Sequence, residues 1–194
     1  MNKLTSILIS ALLIFSITGC ASNKKQERKE ETPMPKAETQ APAKMKVAVI
    51  ETAKGNITFK FFPDDAPKTV ENFVNLTNQG FYNGLAFHRV VKTPVPFVIQ
   101  GGDPKGDGTG GPGYTIPAEF NPRPHLEGTV AMARTEDPNS AGSQFYICLA
   151  PQPALDGKYT VFGQVIEGLE NIHKINAGDK IISVKIQERE IVKK

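Results

Sequence analysis

The chain has 194 residues, 39% of them hydrophobic, and its 23 Lys and Arg nearly balance 20 Asp and Glu to leave a net charge of +3. So small a surplus argues against a nucleic-acid footprint. Two cysteines in the whole chain exclude a disulfide-built scaffold, so stability has to come from an apolar core.

Residues 1–19 read as a secretory signal. Lys3 gives a positive start, residues 4–17 are mostly apolar, and small residues precede Cys20. Thr5, Ser6 and Ser10 interrupt the run, which falls short of the roughly 20 apolar residues of a spanning helix. Ile17-Thr18-Gly19-Cys20 resembles the lipobox of bacterial lipoproteins. That resemblance implies cleavage before Cys20, a diacylglycerol on its thiol, and an exported protein tethered by lipid to the periplasmic or cell-surface side of a bacterial membrane. Residues 20–44 turn to Lys, Glu, Gln, Thr and Pro, which bury too little apolar surface to offset ordering entropy, so a disordered spacer is expected. Residues 45–194 have the length of one domain.

Within it, Val47, Val49, Ile57, Phe59 and Phe61 alternate around Lys54-Gly55-Asn56, the pattern of a hairpin. Asp65 and Pro67 precede Val70, Phe73, Val74 and Thr77 at helical spacing, predicting a capped amphipathic helix that ends by Gly80. Short strands are predicted over 86–91, 98–101, 129–133, 144–149, 161–165 and 181–190, with a second helix over 168–176. Many short strands and two helices predict a mainly β barrel or sandwich. Cys148 falls in an apolar strand, where a free thiol acts as a small hydrophobe.

Other chemistries find little support. The glycine-rich run 105–114 lacks the Lys-Ser/Thr ending of a phosphate loop. Asp103 and Asp107 have no acidic partner at the twelfth position that a calcium loop needs, and His88, His125 and His173 are scattered rather than clustered for zinc. Ser140 and Ser143 stand outside any nucleophile-elbow pattern.

Four blocks carry the remaining signal: Phe87-His88-Arg89-Val90, the run from Phe97 to Asp103 with Gln100 at its centre, Gly142-Ser143-Gln144-Phe145-Tyr146-Ile147, and Leu155 to Gly163. They set a guanidinium and carboxamides among apolar strand residues, where polar groups are costly without a purpose. In this order they resemble the cyclophilins, a family of peptidyl-prolyl cis-trans isomerases, over about residues 46–190. The resemblance implies a closed eight-stranded antiparallel barrel capped by two α-helices. It implies Arg89 and Gln100 as catalytic residues, and a substrate groove made by Phe97, Val98, Met132, Ala133, Arg134, Gln144, Tyr146, Leu155 and Tyr159. The substrates implied are proline-containing peptides and unfolded exported proteins, handled by a monomer with no cofactor and no metal. Val98 stands where many relatives have Met, Tyr146 replaces Phe, Tyr159 replaces His, and Arg134 replaces the Asn of eukaryotic members. Ala154 replaces the Trp of cyclosporin-sensitive relatives, so weak cyclosporin binding is expected. Residues 92–96 form an insertion that reshapes one wall of the groove.

The implied chemistry is physically modest. Amide resonance sets a barrier of about 18–20 kcal/mol to Xaa-Pro rotation, and a catalyst has only to favour the twisted bond, whose nitrogen lone pair accepts a hydrogen bond. A guanidinium suits that task because it stays charged and presents fixed donors. The competing reading is a cyclophilin-fold peptide-binding module or chaperone with incidental isomerase activity.

Overall fold

A computed structural model describes residues 44–190. The expected signal, Cys20 and the spacer up to residue 43 lie outside the described residues, whereas Lys44, expected as the spacer's last residue, already pairs with Glu190 in a strand.

The chain opens with the hairpin of β1 (Lys44–Thr52) and β2 (Ile57–Phe61), in register from Val47 opposite Lys60 to Ile50 opposite Ile57. Thr52 ties the turn: its hydroxyl donates to the Gly55 carbonyl at 2.7 Å and accepts from the Lys54 N–H at 3.0 Å. Gly55 is needed there because its φ of 111° is closed to most side chains. Helix α1 (Pro67–Asn78) follows, with Pro67 in the first turn, where a missing N–H is harmless. Its cap differs from expectation. Asp65 takes no part, and the free N–H groups of Lys68 and Thr69 donate to the carboxylate of Glu119, fifty residues away, at 3.0 and 2.8 Å. Asp65 instead pairs with Arg123 at 2.6 Å.

Six further strands follow: β3 (Arg89–Val90), β4 (Val98–Gly101), β5 (Thr129–Met132), β6 (Phe145–Cys148), β7 (Val161–Glu167) and β8 (Ile181–Glu190). All pairings are antiparallel in the order β3-β4-β6-β5-β7-β2-β1-β8. The expected closed barrel is therefore corrected: the ladder is open between β3 and β8. Strand β3 is only two residues long because residues 84–87 leave it, starting from Gly84 at φ 80°. That segment meets the start of β8 through a single bridge, Ala86 with Lys180, and through backbone bonds such as Ile181 N–H to Leu85 C=O at 2.8 Å. Helix α2 (Leu169–Ile172) is also shorter than the predicted 168–176. It ends at Ile172, and four residues further on the Asn176 N–H turns to the Asp179 carboxylate at 2.8 Å.

The larger core packs against one face of the sheet. Phe73 reaches down from α1 to stack on Tyr82 at 4.7 Å between centroids and to meet Phe59, Phe145 and Phe162 at 5.5 Å each. Side chains directly opposite one another in a sheet share a face. Ile99, Ile147 and Val130 thus form an inner row across β4, β6 and β5, inside this core. Their neighbours Gln100, Tyr146 and Ala131 form the outer row, continued to Arg89 on β3 and Val161 on β7. A second, smaller apolar cluster covers that outer face: Val98, Ala131, Tyr146, Cys148 and Val161 with Phe62, Phe97, Ala133, Leu155 and Tyr159 packed against them.

Candidate active site

The outer row is where the polar and apolar requirements meet. Arg89, at the edge of the sheet and exposed, lies opposite Gln100 and donates from Nη1 to its Oε1 at 3.3 Å. The guanidinium also sits 5.5 Å from the centroid of the Phe97 ring. Gln100 passes the chain on, its Nε2 donating to Gln144 Oε1 at 2.9 Å, and Gln144 Nε2 donates to the carbonyls of Gly108 and Gly110 at 3.0 and 2.9 Å. The last acceptors fix every amide upstream: because they are carbonyls, Gln144 must present its NH₂ to them and its oxygen to Gln100, and Gln100 must then present its own oxygen to Arg89.

The loop that supplies those carbonyls is held by Asp103. Its carboxylate, 1% exposed, accepts the N–H groups of Lys105 at 2.8 Å and Gly108 at 2.5 Å. Burial pushes this carboxyl up, but the converging N–H groups of Lys105, Gly108 and Gly106 outweigh it and hold it below the usual carboxylate value. The glycine-rich run thus serves as a backbone-carbonyl anchor for the amide chain.

Beside the guanidinium lies a pocket of about 200 Å³ lined by Arg89, Phe97, Val98, Gln100, Ala133, Arg134, Tyr146, Leu155 and Tyr159. A water takes about 30 Å³ of liquid, so the pocket has room for a small ring. Tyr146 and Tyr159 meet edge to face at 5.8 Å, and the Arg134 guanidinium covers Tyr159 at 4.7 Å. Arg134 is locked in place by its own loops, donating to the carbonyls of Thr135, Glu136 and Lys158. A larger hollow of about 600 Å³ shares Gln100, Ala133 and Arg134 with the pocket and continues along Gln144 and residues 108–115.

Nine of the eleven groove residues expected from the sequence therefore line one pocket, and Gln144 lines the adjoining hollow. Met132 does not. It belongs to the inner core with Val130, 2% exposed, because alternation along β5 turns it away from the face that carries Ala131. Two residues of the site were missed. His125 sends Nε2 to the Tyr146 hydroxyl at 2.9 Å and Nδ1 to Asp156 Oδ1 at 2.9 Å. No pattern marked His125, an isolated histidine in a loop; Asp156 was visible only as the neighbour of Leu155. Under the pocket, burial and then the charge of Asp156 push the Cys148 thiol up to about 12, so it stays a thiol. Burial likewise pushes the Tyr146 phenol far above its ordinary value and keeps it a hydrogen-bond donor.

An apolar, ring-sized pocket flanked by an oriented guanidinium and a long polar hollow defines a peptide-binding enzyme site that acts by hydrogen bonding on a bound chain. The comparisons agree with this class. The family model described as "Cyclophilin type peptidyl-prolyl cis-trans isomerase/CLD" matches residues 47–193. A peptidyl-prolyl cis-trans isomerase of Synechococcus elongatus is 54% identical over 144 residues, covering 73% of this chain and 97% of that protein. Among solved structures, a cyclophilin-type isomerase of Cryptosporidium parvum aligns with a TM-score of 0.69 at 31% identity, covering 75% of this chain and 98% of that one. The same Cryptosporidium protein, solved in the presence of the dipeptide Ala-Pro, aligns with a TM-score of 0.63 at 31% identity, over 76% of this chain and 99% of that one. The chain belongs to the cyclophilin-type peptidyl-prolyl cis-trans isomerases, and its activity is isomerisation of Xaa-Pro bonds.

Proposed function

We propose that this isomerase acts on exported chains from a lipid anchor at Cys20, with Arg89 as its catalytic donor and the 200 Å³ pocket as the seat of the prolyl ring. The observation that carries the reading of the site is the chain from Arg89 through Gln100 and Gln144 to the Gly108 and Gly110 carbonyls, which aims a guanidinium beside an apolar socket.

In that reading the prolyl ring enters between Phe97, Leu155 and Tyr146. The flanking peptide lies along Ala133 and Gln144. As the Xaa-Pro bond twists, its nitrogen becomes pyramidal and its lone pair meets an N–H of Arg89, which Gln100 holds by its other side. The bond is available only in the twisted state, so it favours the transition state over the ground state. A hydrogen bond from a charged donor contributes about 1.5–3 kcal/mol, or roughly one to two decades of rate. Orientation of the bound chain and exclusion of water from the planar, more polar ground state supply the rest. No covalent step or proton transfer is needed.

The test is a protease-coupled isomerisation assay on an Xaa-Pro-Phe peptide with the full-length protein and its Arg89→Ala variant. A loss of about tenfold or more in kcat/KM, with unchanged thermal unfolding, supports the assignment. Near-normal turnover refutes it. The anchor is tested by Cys20→Ala: the variant is expected in the soluble fraction of the producing cell and the parent in the membrane fraction. Two acyl chains hold a protein to a bilayer where none would.

A further inference from the structure

We propose that His125 is a positioning residue of the isomerase pocket: it clamps the Tyr146 ring that floors the pocket to the short loop that carries Leu155. The proposal rests on the reading of that pocket as the prolyl site.

The floor has a polar atom on its far side. Tyr146 is 5% exposed, and its hydroxyl points away from the pocket into the protein, where His125 Nε2 meets it at 2.9 Å. The imidazole is itself enclosed, with no exposed side-chain surface. Its other nitrogen, Nδ1, lies 2.9 Å from Asp156 Oδ1. A carboxylate only accepts hydrogen bonds, so Nδ1 carries the hydrogen; in the neutral ring Nε2 is then the acceptor, and Tyr146 O–H donates to it. Each of the three side chains is oriented by the next.

The backbone of His125 closes the loop. Its N–H donates to Asp156 Oδ1 at 2.7 Å, and its carbonyl accepts the Gln152 N–H at 2.7 Å. Both ends of the segment 152–156 are thereby fastened to one residue, and Leu155 hangs between them on the 3₁₀ turn Pro153–Leu155. Gln152 in turn donates from Nε2 to the Pro96 carbonyl at 3.0 Å, which ties in the inserted loop beside Phe97. The imidazole also stacks nearly parallel on Tyr146, 16° between planes at 6.0 Å, with Tyr159 edge-on to both. Tyr146 and Tyr159 are thus set by the His125 side chain, and Leu155 and the loop beside Phe97 by its backbone, through a residue that lines no part of the pocket.

A residue that only shapes the socket acts equally on ground and transition states, so its loss raises KM and leaves kcat unchanged. Two conservative variants separate the link to Tyr146 from a general structural role. His125→Asn retains an amide near Nδ1 for Asp156 but abandons the tyrosine hydroxyl. His125→Gln places its amide near Nε2, and so retains the tyrosine link. In the protease-coupled assay on the full-length protein, His125→Asn is expected to raise KM by about fivefold or more with kcat within about twofold, and His125→Gln to stay within about twofold of the parent in both. Equal KM values for the two variants, or a fall in kcat alone, would overturn the proposal. Should His125→Asn not fold, Tyr146→Phe breaks the same bond from the other end, and an unchanged KM there overturns it equally. Arg89→Ala is run alongside: if it turns over normally, the reading of the pocket fails first, whereas its loss of activity together with indistinguishable His125 variants rejects only the positioning role.

Discussion

Gln144→Leu separates the two things Gln144 does. The change nearly conserves volume and removes three hydrogen bonds, one accepted from Gln100 at 2.9 Å and two donated to the loop carbonyls of Gly108 and Gly110 at 3.0 and 2.9 Å. Neutral hydrogen bonds contribute about 0.5–1.5 kcal/mol each, and the open hollow lets water replace part of what is lost, so the stability loss is about 1–2 kcal/mol. The effect on rate comes through Arg89. With nothing to hold its amide, Gln100 no longer presents a fixed oxygen to the guanidinium, and the donor samples orientations that miss the prolyl nitrogen. Losing about half of a charged hydrogen bond's contribution lowers kcat by roughly 3- to 10-fold. The assay is a double-mutant cycle of Arg89→Ala and Gln144→Leu, measured as kcat/KM and followed by thermal unfolding. Once the guanidinium is gone its orientation is immaterial, so Gln144→Leu is expected to add less than about a twofold further loss in the Arg89→Ala background. Multiplicative losses would show that Gln144 contributes through its own contact with the peptide and not through Arg89, and would refute the amide chain as the device that aims Arg89.

Phe73→Ala removes the ring at the centre of the aromatic cluster and should destabilise the fold by about 3–5 kcal/mol, read by denaturant unfolding; a loss below about 1 kcal/mol would mean that the cluster re-packs around the gap. Gly102→Ala should lose at least about 2 kcal/mol in the same experiment, because φ is 86° and the new Cβ would strike the Ser143 carbonyl oxygen, a backbone atom fixed next to Gln144. Asp156 gives a pH prediction. The backbone N–H and then the ring N–H of His125 hold its carboxyl below the usual value, so its contribution to stability is complete above about pH 4, the unfolded pKa, and is lost as pH falls through the lowered folded one. Thermal unfolding of Asp156→Asn should therefore fall less steeply than that of the parent below about pH 4, and parallel curves would deny Asp156 that role.

Much of the fold was legible because the strands follow period two. The outer-facing Gln100 and Tyr146 and the inner-facing Ile99 and Ile147 alternate in sequence as they do across the sheet. What sequence could not reveal was action at a distance. The cap of α1 comes from Glu119, and nothing near Pro67 announces it, whereas Asp65, a good capping residue by type, is taken by Arg123. The open ladder has a similar origin: Ala86 and its neighbours have strand-like composition, and only Gly84 and the turn before β8 decide that they pair for a single bridge.

The misplacement of Met132 shows where a resemblance needs the physics beside it. Met132 and Ala133 are adjacent, and by composition the methionine is the better pocket-former. In a strand, however, neighbours face opposite ways, and the face is settled by register: Ala131 lies opposite Tyr146 on the outer row, so Met132 is committed to the core. The chain leaves β5 at Met132, and Ala133 N–H still donates to the Gln144 carbonyl at 3.0 Å, which keeps that small residue on the groove side. A large side chain there would fill the space that Gln100, Ala133 and Arg134 share between pocket and hollow. The groove is continuous because its midpoint carries alanine, and the same register that hides the methionine is what leaves room for a peptide to pass.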